Sequence, residues 1–363
     1  MDFEVEENEF YTLLGPSGCG KTTTLRCLAG LEQPTSGTIE LDGVAVFSAR
    51  GMVPTHRRDI GMVFQDYAVW PHMSVFDNVA FPLQVGKRQS SSKVRELVHE
   101  ALDLVNMSEY VDRQATQLSG GQQQRLSLAR ALVRQPKVLL LDEPLSNLDA
   151  KLREQMRKEL RMLQRRIKVT TIFVTHDQVE ALSMSNRIAV MNKGVIAQVG
   201  TPREIYQEPN SEFVAAFVGA TTFIRGTVTA IGPADKQLTL DTTIGALICQ
   251  TNNVMAVGDP VTVAVRPEAI KVSEQKNLDP NVNSIEAVVD IGLFIGEAVD
   301  YHIHVGDELV RVKGDPHSRH RRRDKVFLDI PPWECVVIHS ASSDVEAPPA
   351  PPEELFDPTV EIV

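Results

Sequence analysis

The sequence predicts an α/β domain over residues 1 to about 215, followed by a small all-β domain over 222–340. Three observations carry this. The runs Phe10-Tyr11-Thr12-Leu13-Leu14, Lys137-Val138-Leu139-Leu140-Leu141-Asp142 and Thr171-Ile172-Phe173-Val174-Thr175 are short and almost continuously apolar, the pattern of parallel strands covered on both faces. Helix-period segments such as Lys151–Lys168 follow them, and strand alternating with helix builds βαβ units. From Phe223 the texture changes to apolar–polar alternation, as in Ile224-Arg225-Gly226-Thr227-Val228-Thr229 and Val261-Thr262-Val263-Ala264-Val265-Arg266, the pattern of a small barrel or sandwich.

Within the first domain, the stretch between the first two apolar runs is mainly helical, about 75–134, and reads as an inserted helical subdomain. After the second domain, residues 341–363 are rich in Pro and Glu and poor in aromatics, the composition of a disordered tail. The basic run His317-Ser318-Arg319-His320-Arg321-Arg322-Arg323 falls between strands and reads as a solvated hairpin loop.

Bulk composition excludes several classes of function. The net charge is −11 in 363 residues, which argues against a general affinity for nucleic-acid backbone. No segment has the ~20 apolar residues of a membrane-spanning helix, and the acidic start MDFEVEENEF does not resemble a signal peptide. The chain reads as cytosolic, with any membrane contact made through a partner. Cys19, Cys27, Cys249 and Cys335 are scattered without a CxxC pair, which fits a reducing compartment and no structural metal.

The chemistry concentrates at Gly15-Pro16-Ser17-Gly18-Cys19-Gly20-Lys21-Thr22, between a strand and a helical stretch over Thr22–Leu31. Glycines let backbone N–H groups curve around phosphate oxygens. The helix N-terminus adds partial positive charge. In such a loop Lys21 reaches the β- and γ-phosphates, Thr22 supplies a hydroxyl to Mg²⁺, and Thr23 adds a further first-turn group. Cys19 lies inside the loop as a small residue that fits there. A triphosphate site also needs a carboxylate for the metal and a means of activating water. Asp142 and Glu143, at the end of the second apolar run, supply the two. ATP and Mg²⁺ are the expected ligands.

Leu118-Ser119-Gly120-Gly121-Gln122 completes the pattern. With the glycine loop, Gln65, Asp142-Glu143, Ser146-Asn147-Leu148-Asp149 and His176 in that order, the chain resembles the ABC ATPases over residues 1 to about 215. The resemblance implies a head-to-tail dimer in which Leu118–Gln122 of one copy faces ATP held by the other. It further implies that His176 contacts the γ-phosphate, that Asp149 carries information across the dimer, and that Gln65 senses Mg²⁺ and the attacking water. The second domain, through Val265-Arg266-Pro267-Glu268 and Gly292–His304, resembles the OB-like (TOBE) domain of importer ATPases of the maltose, polyamine and ferric-ion type.

That resemblance implies an ATP-hydrolysing importer subunit, peripheral on the cytoplasmic face of the membrane. It would be bound to permease subunits and served indirectly by an extracytoplasmic solute-binding protein. The segment Gln65–Val75 corresponds to the family's groove for a permease helix, with Trp70 as anchor or core residue. Trp70-Pro71-His72-Met73 and Phe81-Pro82-Leu83 lean toward ferric ion, polyamine or phosphonate as cargo; sugar is the alternative, and a soluble ABC protein outside transport a weaker one. Family members begin earlier, with a strand and an aromatic residue that stacks on adenine. Met1–Glu6 corresponds to the family's second strand, so the resemblance implies a missing first strand, an exposed sheet edge and no adenine stack.

Overall fold

The computed structural model describes residues 1–85, 90–232, 236–251 and 253–339; the tail expected over 341–363 lies outside the described residues. The chain forms two compact units, Met1–Pro202 and Arg203–Val363.

The strands of the first unit are β1 (Phe10–Leu14), β2 (Ile39–Leu41), β3 (Val44–Ser48), β4 (Gly51–Met52), β5 (Ile60–Val63), β6 (Val138–Asp142), β7 (Thr170–Thr175), β8 (Arg187–Asn192) and β9 (Val195–Gly200). Six make the central sheet in the order β5-β6-β7-β1-β8-β9. Its first five are parallel, and β9 closes the edge antiparallel to β8. The three apolar runs of the sequence are thus the central neighbours β6, β7 and β1. Every residue of β1 is buried, as a strand covered on both faces must be. The small antiparallel sheet β2-β3-β4 stands apart.

The helices are α1 (Lys21–Ala29), α2 (Val75–Gln84), α3 (Ser91–Leu104), α4 (Gly120–Leu132), α5 (Ala150–Ile167) and α6 (Gln178–Met184). Ser74, Ser90, Ser119, Asp149 and Asp177 cap the last five through side-chain oxygens, which gives each start a sequence signal. Alternate residues of the strands feed two cores. Phe10, Leu139, Leu141 and Phe173 join the layer carrying α2–α4, whereas Tyr11, Leu13, Ile172 and Val174 join Leu25 and Leu28 of α1. No helix among the described residues is long and apolar enough to cross a membrane.

Met1–Asn8 form no strand, contrary to the expectation for this segment. A strand needs a neighbour to take its backbone hydrogen bonds, and among the described residues none lies alongside. Phe3 and Val5 still pack on the α1-side core, with Phe3 stacked on Tyr11 at 5.6 Å.

The second unit holds two five-stranded antiparallel sheets. One runs Gly245–Gln250, Gln237–Thr242, Thr222–Ile231, Pro260–Val265, Val336–His339; the other runs Lys271–Ser273, Lys325–Ile330, Asn283–Phe294, Val299–Val305, Glu308–Gly314. Their inward residues, among them Val263, Tyr301, Ile303, Leu328 and Val337, make one core. Within this unit Arg266 binds the segment that precedes the first sheet. Its Nη1 donates to the carbonyls of Ala215 (2.8 Å), Gly219 (3.0 Å) and Ala220 (3.2 Å), and its Nη2 to that of Tyr206 (3.0 Å).

Candidate functional site

Strand register brings the chemistry together. Leu14 of β1 pairs with Thr175 of β7, and Asp142 of β6 with Val174. Three C-terminal strand ends therefore lie side by side, and each is followed by an expected site segment: the glycine loop, Glu143 and His176. Parallel sheets place ligands at this edge.

The loop from Gly15 to Gly20 is shaped by glycines. A Cβ on Gly15 would lie 2.4 Å from the carbonyl oxygen of Met191. Gly18 and Gly20 have φ of 79° and 103°, values that L side chains avoid. Gly20 opens α1 without a side chain to cap it, so the first-turn N–H groups, those of Lys21 and Thr22 included, have no intrahelical acceptor and face an anion's position. Ser17 and Thr23 are exposed and Pro16 is half-buried. Cys19 is buried; its carbonyl accepts from the N–H of Gly194 (3.1 Å). Lys21 is only 5 % exposed. Its Nζ folds back to donate to the carbonyls of Gly15 (2.8 Å) and Pro16 (3.0 Å), a cation held at the mouth of the loop.

The carboxylates occupy different environments. Asp142 is buried and accepts from Thr22 Oγ1 at 3.0 Å. Burial pushes its carboxyl above the ordinary carboxylate range, against the Thr22 hydrogen bond, while the neighbouring Glu143 pushes it further up. A buried carboxylate joined to a hydroxyl is a site that gains from a cation. Glu143 stands in the left-handed region with φ of 42°, uncommon for a residue of its kind; its N–H donates to Val174 O at 3.1 Å. This twist sends its side chain to His176, where Oε2 lies 3.1 Å from Nδ1. Such a pair can orient a carboxylate toward a water and stabilise it there.

The remaining expected residues sit around this centre. Gln65 is exposed, and its carbonyl accepts from Asn147 Nδ2 at 3.1 Å. Leu118 is buried, while Ser119 and Gly120 are exposed at the start of α4. Ser119 and Gln122 form a reciprocal capping box: Ser119 N–H donates to Gln122 Oε1 (2.9 Å) and Gln122 N–H to Ser119 Oγ (3.4 Å). Gly121 is pressed against Leu152 of α5, where an added Cβ would lie 3.1 Å from a methyl. Asp149 is exposed and accepts from Leu152 N–H at 3.0 Å. Among the described residues no hydrogen bond joins Leu118–Gln122 to the glycine loop of the same chain.

Two features escaped the sequence reading. Tyr67 and Ala68, just after Gln65, both have positive φ (58° and 46°), and α4 holds their carbonyls. Ser127 Oγ donates to Tyr67 O (2.8 Å), and Arg130 donates to Tyr67 O (2.9 Å) and Ala68 O (2.6 Å). Trp70 is half-buried, with the Arg130 guanidinium 4.6 Å and the Phe81 ring 4.5 Å from its ring, so it is not a core residue. The second feature is Arg153, which bridges two loops of the site. An arginine in the last turn of α4 or the first turn of α5 carries no local signal of a partner in another loop, which explains both omissions.

A phosphate loop after a parallel strand, an uncapped helix start and an acidic pair at the neighbouring strand end define a P-loop nucleoside triphosphatase. Residues 1–146 match the family model described as ABC transporter, and residues 263–338 the one described as TOBE domain. Over 335 residues the chain is 44 % identical to the trehalose/maltose import ATP-binding protein MalK of Thermococcus litoralis, covering 91 % of this chain and 89 % of that protein. It is 45 % identical over 338 residues to the spermidine/putrescine import ATP-binding protein PotA of Ruegeria pomeroyi (91 % and 88 % covered), and 38 % over 347 residues to PotA of Thermotoga maritima (93 % and 92 %). Among solved structures, cbiO1 of Clostridium perfringens, part of the ABC transporter complex cbiONQ, matches with a TM-score of 0.53 and 31 % identity, covering 57 % of this chain and 83 % of that one. The chain belongs to the ABC transporter family, among the importer ATP-binding subunits that carry a TOBE domain; it binds ATP and hydrolyses it to power import.

Proposed function

We propose that two copies of this chain pair head to tail, each completing the other's ATP site, and that their closure drives a membrane permease. The observation that carries this is a division within one chain. Thr22, Asp142, Glu143 and His176 stand together at one strand edge, while the exposed start of α4 makes no hydrogen bond to that edge among the described residues. The exposed Ser119 and the first-turn N–H groups that include Gly121, at a helix start closed only by its own capping box, suit a γ-phosphate presented from outside. In this reading Gly15–Thr23 wraps the phosphates and Lys21 leaves its carbonyl partners for the β- and γ-oxygens. Glu143 accepts a proton from the attacking water, and His176 holds Glu143 and the γ-phosphate in register.

The donor set fits Mg²⁺. One hydroxyl joined to one buried carboxylate is too few for a protein-only cage but suits an ion that keeps waters and phosphate oxygens as ligands. Thr22, Asp142 and Gln65 would hold it, partly through water, and when bound it neutralises charge on the phosphate oxygens.

The subunit works peripherally on the cytoplasmic face of the membrane. There the Gln65–Val75 segment grips a permease helix, and a solute-binding protein delivers cargo from the other side. A polyamine is the favoured cargo within the ferric-ion, polyamine or phosphonate group, because relatives named for spermidine and putrescine align along almost the whole chain. Sugar is the second reading, favoured by the MalK relative at 44 % identity. The test is reconstitution in vesicles with a permease that co-purifies with this chain. ATP-dependent uptake of labelled spermidine supports the first reading, uptake of maltose or trehalose the second, and no ATP-dependent uptake of any solute class overturns the permease assignment.

A further inference from the structure

We infer that Arg153 is a positioning residue that couples the Ser146–Asp149 loop to His176, so that contact by the second copy at that loop sets the geometry of the Glu143–His176 pair. The inference rests on the proposed roles of Glu143 and His176.

Arg153 lies in the first turn of α5, whose cap is Asp149. Its guanidinium reaches two loops. Nη2 donates to the carbonyl of Leu148 at 3.0 Å, and Nη1 lies 3.6 Å from Asp177 Oδ2. Its Nε is buried without a hydrogen-bond partner, so the side chain holds its place through the fork alone. A fork that serves a carbonyl and a carboxylate at once is particular to arginine; lysine is a point charge.

Asp177 is an anchored partner. Its Oδ1 accepts from the N–H groups of Val179 (2.8 Å) and Glu180 (3.0 Å), capping α6. On the other side of His176, Thr175 Oγ1 accepts from Asp177 N–H (3.0 Å) and donates to the buried Glu180 Oε2 (2.6 Å). His176 therefore stands between two pinned residues, and its ring meets Glu143. The path returns through Ser146, whose N–H and Oγ both donate to the Glu143 carbonyl (3.2 and 2.9 Å). Glu143, His176, Asp177, Arg153, Leu148 and Ser146 thus close a ring. Asn147 and Asp149, on either side of Leu148, are exposed, and so is His176 at the other end of the ring. A push on this loop moves Leu148 O, and Arg153 transmits the movement to the segment that carries His176.

The test compares Arg153→Met, Arg153→Lys and Asp177→Asn with His176→Ala in the full-length protein. It reads kcat, the ATP-dependence of the rate, affinity for a fluorescent ATP analogue, and Tm. Arg153→Met is expected to lower kcat about tenfold, the range of typical coupling between sites, with ATP affinity unchanged and the cooperativity in ATP reduced. Arg153→Lys should fall between it and wild type. Arg153→Met adds nothing to Asp177→Asn or to His176→Ala. If His176→Ala is impaired while Arg153→Met keeps kcat within twofold, the coupling is overturned and the reading of His176 stands. If His176→Ala keeps normal kcat, that reading fails and the inference with it. A lowered Tm with normal kcat per folded molecule makes Arg153 structural and overturns the coupling. Should Arg153→Met not fold, Arg153→Lys and Asp177→Asn are judged by the same criteria.

Discussion

His176 Nδ1 and Glu143 Oε2 meet at 3.1 Å across the ends of adjacent parallel strands, with the histidine side chain 55 % exposed and the glutamate 17 %. The glutamate is thus the sheltered member and the histidine the one open to a ligand. The left-handed backbone at Glu143 makes the meeting possible. A strand continuing in β geometry would send successive side chains to opposite faces, whereas the turn redirects this one after Asp142 has faced Thr22.

Glu143→Gln is expected to keep ATP affinity, since no phosphate-loop contact changes, and to lower kcat by about 10²–10⁴, the usual contribution of general-base catalysis. The variant should accumulate as an ATP-bound dimer, visible by size-exclusion chromatography with ATP. Near-normal turnover removes Glu143 from the proton-accepting role.

Lys21→Ala should lose nucleotide affinity while keeping its fold. The ammonium is held by two carbonyls of the loop itself, so its removal leaves the loop backbone in place and subtracts a charge-assisted contact to phosphate, which is stronger than a neutral one. A loss of at least about tenfold, or ~1.4 kcal/mol, is expected on titration with a fluorescent ATP analogue, with Tm within a few degrees of wild type. Unchanged affinity overturns the assignment.

Much of this arrangement was legible because it is local. The glycine loop, the Asp142-Glu143 pair and the Ser119–Gln122 capping box are each written in a few consecutive residues. The order of strands was not: β6 and β1 are separated by β7 in space, and only long-range register places Leu14 beside Thr175. The strand β9 and the small β2–β4 sheet went unread because their short or half-exposed runs carry weak periodicity; β8, a buried apolar run like β1, was overlooked. A further long-range relation was out of reach for the same reason. Pro202–Gln207 and Glu212–Phe217 are short helices, and Arg266, 51 and 60 positions after Ala215 and Tyr206, binds their carbonyls.

Trp70→Ala should spare soluble ATPase activity and weaken capture of the permease. The ring packs against Phe81 in a tilted arrangement and is covered by Arg130, while its backbone is held independently by Asn78. Removing the ring therefore leaves the segment after Gln65 in place but reshapes its surface. A stability loss of about 1–2 kcal/mol is expected from the aromatic and cation–π contacts, read as a small drop in Tm. Equal permease pull-down by variant and wild type counts against a docking role.

Arg266→Met should destabilise the second unit. Besides the carbonyls of Tyr206, Ala215, Gly219 and Ala220, the guanidinium covers the Tyr206 ring at 4.2 Å. A methionine keeps much of the volume but leaves several half-buried acceptors unpaired. Each such group costs about 1–3 kcal/mol unless water reaches it, so a loss of at least ~3 kcal/mol is expected in denaturant unfolding, and proteolysis should cut near residues 203–221 first. A midpoint within error of wild type overturns the latch.

Glu180→Gln gives a prediction with a sign in pH. The Glu180 carboxyl is 3 % exposed. Burial pushes it above the ordinary carboxylate range and Asp177 pushes it further, while the Thr175 hydroxyl and the charges of Arg153 and Arg157 oppose them. The native state therefore binds this proton more readily than the unfolded chain. Stability from the protonated form is complete below the unfolded-state value near 4.5. It is lost as pH rises through the raised native value, so at neutral pH the charged carboxylate weighs against folding. Glutamine keeps an oxygen to accept from Thr175 and carries no charge. At pH 7.5 Glu180→Gln should melt about 2–4 °C above wild type, what roughly 1 kcal/mol gives in a domain of this size. The difference should shrink toward zero as pH falls into the carboxylate range. A difference that is flat with pH, or a variant less stable at pH 7.5, would show that the negative charge at Glu180 is stabilising, held by Arg153 and Arg157 more strongly than burial opposes it.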